Sequence, residues 1–283
     1  MTQIQTLMAQ LTEAGYEPRR KELLAVVGAL TAPKGMGAPA LLLEGAPGCG
    51  KTALAECVAK VLKCEFVYAL MHPWTDTDEL FMGVDVAAAV AGDSASVRQD
   101  GVLARAAKLS LNTMMVVVCL DEVDKTSERA ENLLLDFLQT GRVPVKPGVQ
   151  IQGNLGHMVV FLTSNGMREL GDALLRRVRR VRMDPLPVAS VERLAAARTG
   201  VPIGVAKLVA RAMREIAQHE GNNAISLQEI VRGLAEIWKV AQSHDDVREI
   251  LSGWGARTPK GAQAAAQSHL SSAIWAEVIN ARR

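Results

Sequence analysis

The apolar positions of this chain come in two kinds of run, one with helical spacing and one unbroken. Across residues 3–30, Leu7, Leu11, Leu23, Leu24, Val27 and Leu30 recur at helical intervals around a break at residues 15–18. A Gly/Pro-rich loop, 31–39, then leads into Ala40-Leu41-Leu42-Leu43, which reads as a strand. An Ala-rich helical pattern through Lys63 follows, and residues 65–71 read as a second strand. Two longer runs, Met114 through Leu120 and His157 through Thr163, show no polar alternation at all. Strands of that kind are buried on both faces, as in a parallel sheet covered by helices, so the expected class is α/β.

Between the second strand and Met114 lies a short helical pattern, 76–82, then two short extended runs, Gly83-Val84-Asp85-Val86 and Val97-Arg98-Gln99, around a Gly92-Asp93-Ser94 turn. These predict a hairpin inserted at about 76–101, followed by a helix over 102–111. The insertion adds nothing to a central sheet, so it either contacts another molecule or decorates the surface. A helix with Thr126 or Ser127 as N-cap carries Leu133, Leu134, Leu135, Phe137 and Leu138 and stops at Gly141. Residues 143–153 read as a small β excursion. The stiff Asp184-Pro185-Leu186-Pro187 marks a domain boundary. Beyond it, 188–197, 201–218 and 226–241 read as three helices with turns at Thr199-Gly200 and Glu220-Gly221-Asn222-Asn223; a Gly/Pro stretch, 253–261, precedes a last helix to Arg283. The expected organisation is an α/β domain over 1–184, a small all-helical domain over 188–245, and an extension over 246–283. Trp238, Trp254 and Trp275 read as packing anchors.

Composition narrows this picture little. The 283 residues are 49% hydrophobic and 22% charged, as in soluble globular proteins, and with 4% aromatics the core falls to Leu, Val, Ala and Met. A net charge of +2, scattered along the chain, gives no argument for nucleic acid. Cys49, Cys57, Cys64 and Cys119 have neither zinc-finger nor disulfide-framework spacing. With no signal-peptide core at the N-terminus and no apolar run of about 18 residues, the expectation is a cytoplasmic protein with reduced thiols and no membrane span.

The chemistry concentrates at strand ends. Gly45-Ala46-Pro47-Gly48-Cys49-Gly50-Lys51-Thr52 fits G-x-x-x-x-G-K-[ST] between strand and helix, which makes the sheet a P-loop NTPase sheet. The glycines let backbone N–H groups turn inward around phosphate oxygens, Lys51 faces the β/γ-phosphates of ATP, and Thr52 offers its hydroxyl to Mg²⁺. Asp121 and Glu122 end the Met114 run at the sheet edge where open α/β folds bind ligands. Asp121 is expected to hold Mg²⁺ through water, and Glu122 to polarise the attacking water. Asn165, ending the next buried run, is placed to orient that water or touch the γ-phosphate. Residues 170–182 carry Arg176, Arg177, Arg179, Arg180 and Arg182: a solvated face, a nucleic-acid patch, or an arginine finger.

In this order, these features resemble the AAA+ ATPases. Leu43 through Thr52, the inserted hairpin and Gly101-Val102-Leu103-Ala104-Arg105-Ala106 look like the MoxR-type branch, with its cobalt-chelatase, gas-vesicle and rubisco-activating members. The resemblance covers about residues 20–245. It implies a homo-oligomeric ring, usually hexameric, with ATP between subunits, the hairpin facing a pore, the helical domain as a lid, and a protein client, with von Willebrand factor A domain proteins as frequent partners. It maps Asn165 to the sensor-1 position and Arg177 to the arginine finger, with Arg176 the alternative. One departure stands out: where relatives carry Ser-x-Arg this chain has Ser226-Leu227-Gln228, and Arg232 lies one turn later on roughly the same face. The rival expectations are a nucleic-acid motor or regulator using the arginine cluster, and a scaffold ring that ATP merely holds together.

Overall fold

Strands and helices share the chain through residue 184. In chain order these are α1 (Gln3–Glu13), α2 (Arg20–Leu30), β1 (Ala40–Glu44), α3 (Lys51–Leu62), β2 (Glu65–Leu70), α4 (Thr77–Leu80), β3 (Met82–Val84), β4 (Arg98–Asp100) and α5 (Val102–Ser110). There follow β5 (Val116–Asp121), α6 (Glu128–Thr140), β6 (Arg142–Lys146), β7 (Val149–Gln152), β8 (Met158–Ser164), α7 (Asp172–Leu175) and β9 (Arg179–Arg182). This computed structural model describes residues 2–33, 35–84, 90, 98–112, 115–146, 148–219 and 225–283. Met114, the Gly92-Asp93-Ser94 turn and the turn expected over 220–223 lie outside the described residues. By contacts, the chain divides into two compact units, 2–46 with 50–184, and 185–283 with the loop residues 47–49.

In the first unit, five strands form one sheet in the order β2-β5-β8-β1-β9, and every pairing is parallel. Side chains alternate across a strand, so the two faces can be read from the burial pattern. Leu42, Val116, Val118, Leu120, Val160 and Leu162 share one core with Leu103 of α5 and Leu134 and Phe137 of α6. Their neighbours Leu41, Leu43, Val117, Cys119, Val159 and Phe161 are equally buried and therefore fill the opposite face. Both layers are covered, which is why those runs carry no polar alternation.

β3 and β4 pair antiparallel, Met82 opposite Asp100 and Gly83 opposite Gln99, as the stem of the expected insertion. Gly101 follows this stem because the backbone of α4's exit crosses there: a β-carbon would stand 2.4 Å from the Phe81 nitrogen. β6 and β7 form the small β excursion. The N-cap of α6 is Ser127, whose hydroxyl accepts from the Ala130 amide.

Two elements differ from the sequence reading. The Arg-rich segment, to which the sequence assigns no element, contains a strand: Arg179–Arg182 pairs with Leu41 to Glu44. As an outermost strand with only Val181 buried, it has no apolar signature. The single helix expected after residues 253–261 is two, Pro259–Gln267 and Leu270–Arg282, and a further helix, His244–Gly255, precedes them.

The second unit comprises α8 (Val188–Thr199), α9 (Ile203–Gln218), α10 (Leu227–Val240), α11 (His244–Gly255), α12 (Pro259–Gln267) and α13 (Leu270–Arg282). Val205, Val209, Ala212, Met213 and Ile216 recur along one face of α9 and pack with Leu234 and Ile237 of α10. Val247, Leu251, Ala265, Ile274 and Val278 join the same cluster, so the stretches the sequence divides at 245 share a single core. The Arg282 guanidinium lies 5.4 Å from the Trp238 ring centre and 5.7 Å from that of Trp275. Trp254 donates its indole N–H to Glu236 at 2.6 Å, so all three tryptophans anchor packing.

Candidate functional site

The loop after β1 takes backbone conformations that favour glycine. Gly48 and Gly50 sit at φ +80° and +93°, and a β-carbon on Gly50 would lie 3.3 Å from the ring of Tyr16, between α1 and α2. α3 opens directly from this loop with no side-chain cap, leaving its first-turn amides and positive dipole end available to an anion. Lys51 is only 7% exposed. Its ammonium donates to Gly45 O at 2.7 Å, Ala46 O at 3.1 Å and Asn165 Oδ1 at 2.8 Å.

Strand order explains how residues more than a hundred positions apart meet. β8 lies between β1 and β5, so Asn165 at its end falls between the glycine loop and the two acids. Asn165 accepts from Lys51 through Oδ1 and donates through Nδ2 to Glu122 Oε1 at 2.9 Å. The other oxygen of Glu122 pairs with Lys125 Nζ at 2.6 Å, and this bond and charge raise the Lys125 ammonium's pKa. Glu122 itself is a non-glycine residue at φ +58°, in the left-handed region, where the chain turns from β5 into the 3₁₀ turn Val123–Lys125.

Asp121 receives three hydroxyls. Thr52 donates to Oδ1 at 3.0 Å, Thr163 donates to the same oxygen, and Tyr68 donates to Oδ2 at 3.2 Å. Burial pushes the Tyr68 phenol up to about 12, helped by the charge and hydrogen bond of Asp121. Burial likewise pushes the Cys119 thiol up, so it stays protonated inside β5. Thr163 also accepts the Glu122 amide at 2.9 Å, so one hydroxyl fixes both acids.

These residues fit a nucleotide with its cation. An uncapped helix start and a buried ammonium suit phosphate oxygens, and the Thr52 hydroxyl beside the Asp121 carboxylate is the hard-oxygen set that Mg²⁺ takes. Among the described residues, no group of three or more His, Cys, Asp or Glu side chains is gathered to hold a metal without such a ligand.

Of the residues singled out in the sequence, Lys51, Thr52, Asp121, Glu122 and Asn165 come together. Arg176 and Arg177 do not join them; both are exposed, and Arg177 donates to Ala173 O of its own turn at 2.8 Å. Arg180 forms a double hydrogen bond with Glu44, at 3.0 and 2.9 Å, tying β9 to the strand that enters the loop. Arg179 donates to Leu24 O at 2.9 Å. Arg232 stacks on Trp254, 5.6 Å from its ring centre.

Sequence reasoning missed four members. Tyr68 and Thr163 reach Asp121 only through strand register. Lys125 is one of many lysines until Glu122 turns back toward it. Asp124, 2% exposed, accepts both the Asn165 and Met167 amides on Oδ2, at 3.1 and 2.7 Å, and so holds the loop that carries Asn165. Its one sequence signal was a third acid three residues past the strand end.

Residues 40–178, which hold Lys51, Thr52, Tyr68, Asp121, Glu122, Thr163 and Asn165, match the AAA domain of the dynein-related subfamily. No curated protein matches the chain. Among the described residues, no helix is long and apolar enough to cross a membrane.

Proposed function

We propose that this chain, whose residues 40–178 form an AAA domain of the dynein-related subfamily, is an Mg²⁺-dependent ATPase of MoxR-like type that works as a ring on a protein client. The observation that carries the ATPase reading is the chain Lys51–Asn165–Glu122 beside Thr52–Asp121. In this reading Lys51 is the phosphate-binding cation, Thr52 and Asp121 are the cation-binding pair and Glu122 is the general base, at three adjacent strands. Lys51 and the loop amides bind and orient the phosphates. Thr52 and Asp121 hold Mg²⁺, which supplies charge neutralisation of the phosphate oxygens when bound. Glu122 takes the proton of the attacking water, and Asn165, fixed on both sides, keeps the base aligned with the phosphate site.

The exposed Arg177, with Arg176 next to it, is left to act on a neighbouring subunit's nucleotide, which makes turnover depend on assembly. A hexamer and a von Willebrand factor A domain partner follow from the sequence resemblance. A nucleic-acid motor draws less support, because Arg179 and Arg180 of the basic segment are already bonded to Leu24 and Glu44.

The test is a comparison of Lys51→Ala with Glu122→Gln. Lys51→Ala is expected to lose ATP binding; Glu122→Gln is expected to bind and retain ATP while kcat falls by about 10²–10⁴-fold. Wild-type protein that binds no ATP, or Glu122→Gln turning over at the wild-type rate, overturns the reading.

A further inference from the structure

Among the described residues, β2 is an outermost strand of the sheet, paired on one side with β5. Val67 is buried in the core, whereas Tyr68 and Leu70, on the opposite face, are 43% and 53% exposed. The Tyr68 ring has one reason to keep its position in Phe66, whose tilted ring lies 6.3 Å away between centres. Tyr68 has another reason: its hydroxyl ends on Asp121 Oδ2 at 3.2 Å.

The register shows how specific that contact is. Tyr68 lies opposite Cys119, and Asp121 lies opposite Leu70, two residues further along. Two residues of strand span roughly 6.6 Å, which is about the reach of a tyrosine side chain leaning along its strand. A serine or threonine at position 68 falls short. A lysine could reach, but would bring a charge that competes with a cation for the same carboxylate. A phenol supplies a donor and no charge.

The three hydroxyls on Asp121 divide the work. Thr52 is the one whose oxygen faces a cation in the proposed reaction, and Thr163 remains on Oδ1. Tyr68 is the sole described donor on Oδ2. Without it, the carboxylate is held at one oxygen and free to rotate about its last bond.

We propose that Tyr68 is a positioning residue for the cation, holding the Asp121 carboxylate in the orientation that receives Mg²⁺ through a hydrogen bond from the edge strand. This rests on the ATPase reading above and adds to it a group that touches neither nucleotide nor metal. Partners of this outer kind orient metal ligands, and their loss commonly costs about 10–100-fold in metal affinity.

The experiment follows equilibrium binding of a fluorescent ATP analogue to the full chain while free Mg²⁺ is varied, for wild type, Tyr68→Phe and Tyr68→Leu. Both variants are expected to need about tenfold more Mg²⁺ for half-maximal enhancement of binding. Their nucleotide affinity in EDTA and their melting temperatures should match wild type. Tyr68→Phe with the wild-type Mg²⁺ dependence overturns the inference, as does a loss in Tyr68→Leu alone, which would assign the residue to packing. An equal loss of binding in EDTA also overturns it, because the effect would then not concern the cation. Wild-type protein that binds no nucleotide removes the ATPase reading and this inference together, whereas wild-type binding with an unaltered Tyr68→Phe removes the inference alone.

Discussion

At Glu122 the backbone holds a left-handed conformation that costs a non-glycine residue roughly 1–3 kcal/mol, and the neighbouring bonds keep it there. Its amide is held by Thr163 and its carboxylate by Asn165 and Lys125. Asp124, buried two residues later, anchors the other side by accepting two amides of the Asn165 loop on one oxygen. Removing that carboxylate leaves both amides without their acceptor, so Asp124→Ala is expected to lose about 3 kcal/mol in urea unfolding. Asp124→Asn keeps the shape and a neutral acceptor. It should lose less stability while lowering kcat for ATP more than it changes KM, because the displaced group is Asn165 rather than a nucleotide contact. Unfolding curves for both variants that overlie wild type would remove this role from Asp124.

At the scale of an element, α10 shows local sequence deciding structure. The Ser226 hydroxyl accepts from the Glu229 amide and the Glu229 carboxylate accepts from the Ser226 amide at 2.7 Å, a capping box written in the sequence Ser226-Leu227-Gln228-Glu229. Ser226→Ala should therefore cost about 1 kcal/mol in thermal or urea unfolding. The pH dependence carries a definite sign. Burial alone would raise the Glu229 carboxyl, but the Ser226 hydroxyl and amide, with the Arg257 guanidinium at 2.6 Å, outweigh it and hold the pKa below the ordinary value. A depressed native value means stability that is present above the unfolded pKa, about 4.3, and lost as pH falls through the native one. The difference in melting temperature between wild type and Glu229→Gln should be full at pH 7 and shrink below about pH 4. A difference that grows on acidification would contradict the assignment. β9 is the opposite case: Arg179-Arg180-Val181-Arg182 has no strand periodicity, and it becomes a strand only because β1 offers an open edge.

For the whole molecule, two compact units have separate apolar clusters. The second gathers six helices from 188 to 282 around Val209, Met213, Leu234, Leu251 and Val278, all almost fully buried. α9 packs against α13 some sixty residues later, so the core draws on both ends of the unit and is complete only with all of it. Residues 185–283 made alone should show a helical circular-dichroism spectrum and a cooperative thermal transition. The same experiment on 185–245 should give no such transition, because that piece lacks Val247, Leu251, Ile274 and Val278. Cooperative unfolding of the shorter piece would show that α11, α12 and α13 are dispensable to the core.

The sequence by itself determined what depends on near neighbours and on burial. The unbroken apolar runs gave β5 and β8, the glycine loop announced its left-handed turns, and Lys51, Thr52, Asp121, Glu122 and Asn165 were legible because each stands where a recognisable element begins or ends. Only the tertiary structure decided what depends on which strands lie side by side. The order β2-β5-β8-β1-β9 sets Asn165 between Lys51 and Glu122, brings Tyr68 and Thr163 to opposite oxygens of Asp121, and makes an edge strand of an arginine-rich segment. Local propensity and periodicity act over a few residues, whereas parallel pairing joins segments separated by a whole crossover, and no spacing in the chain records which segments will pair.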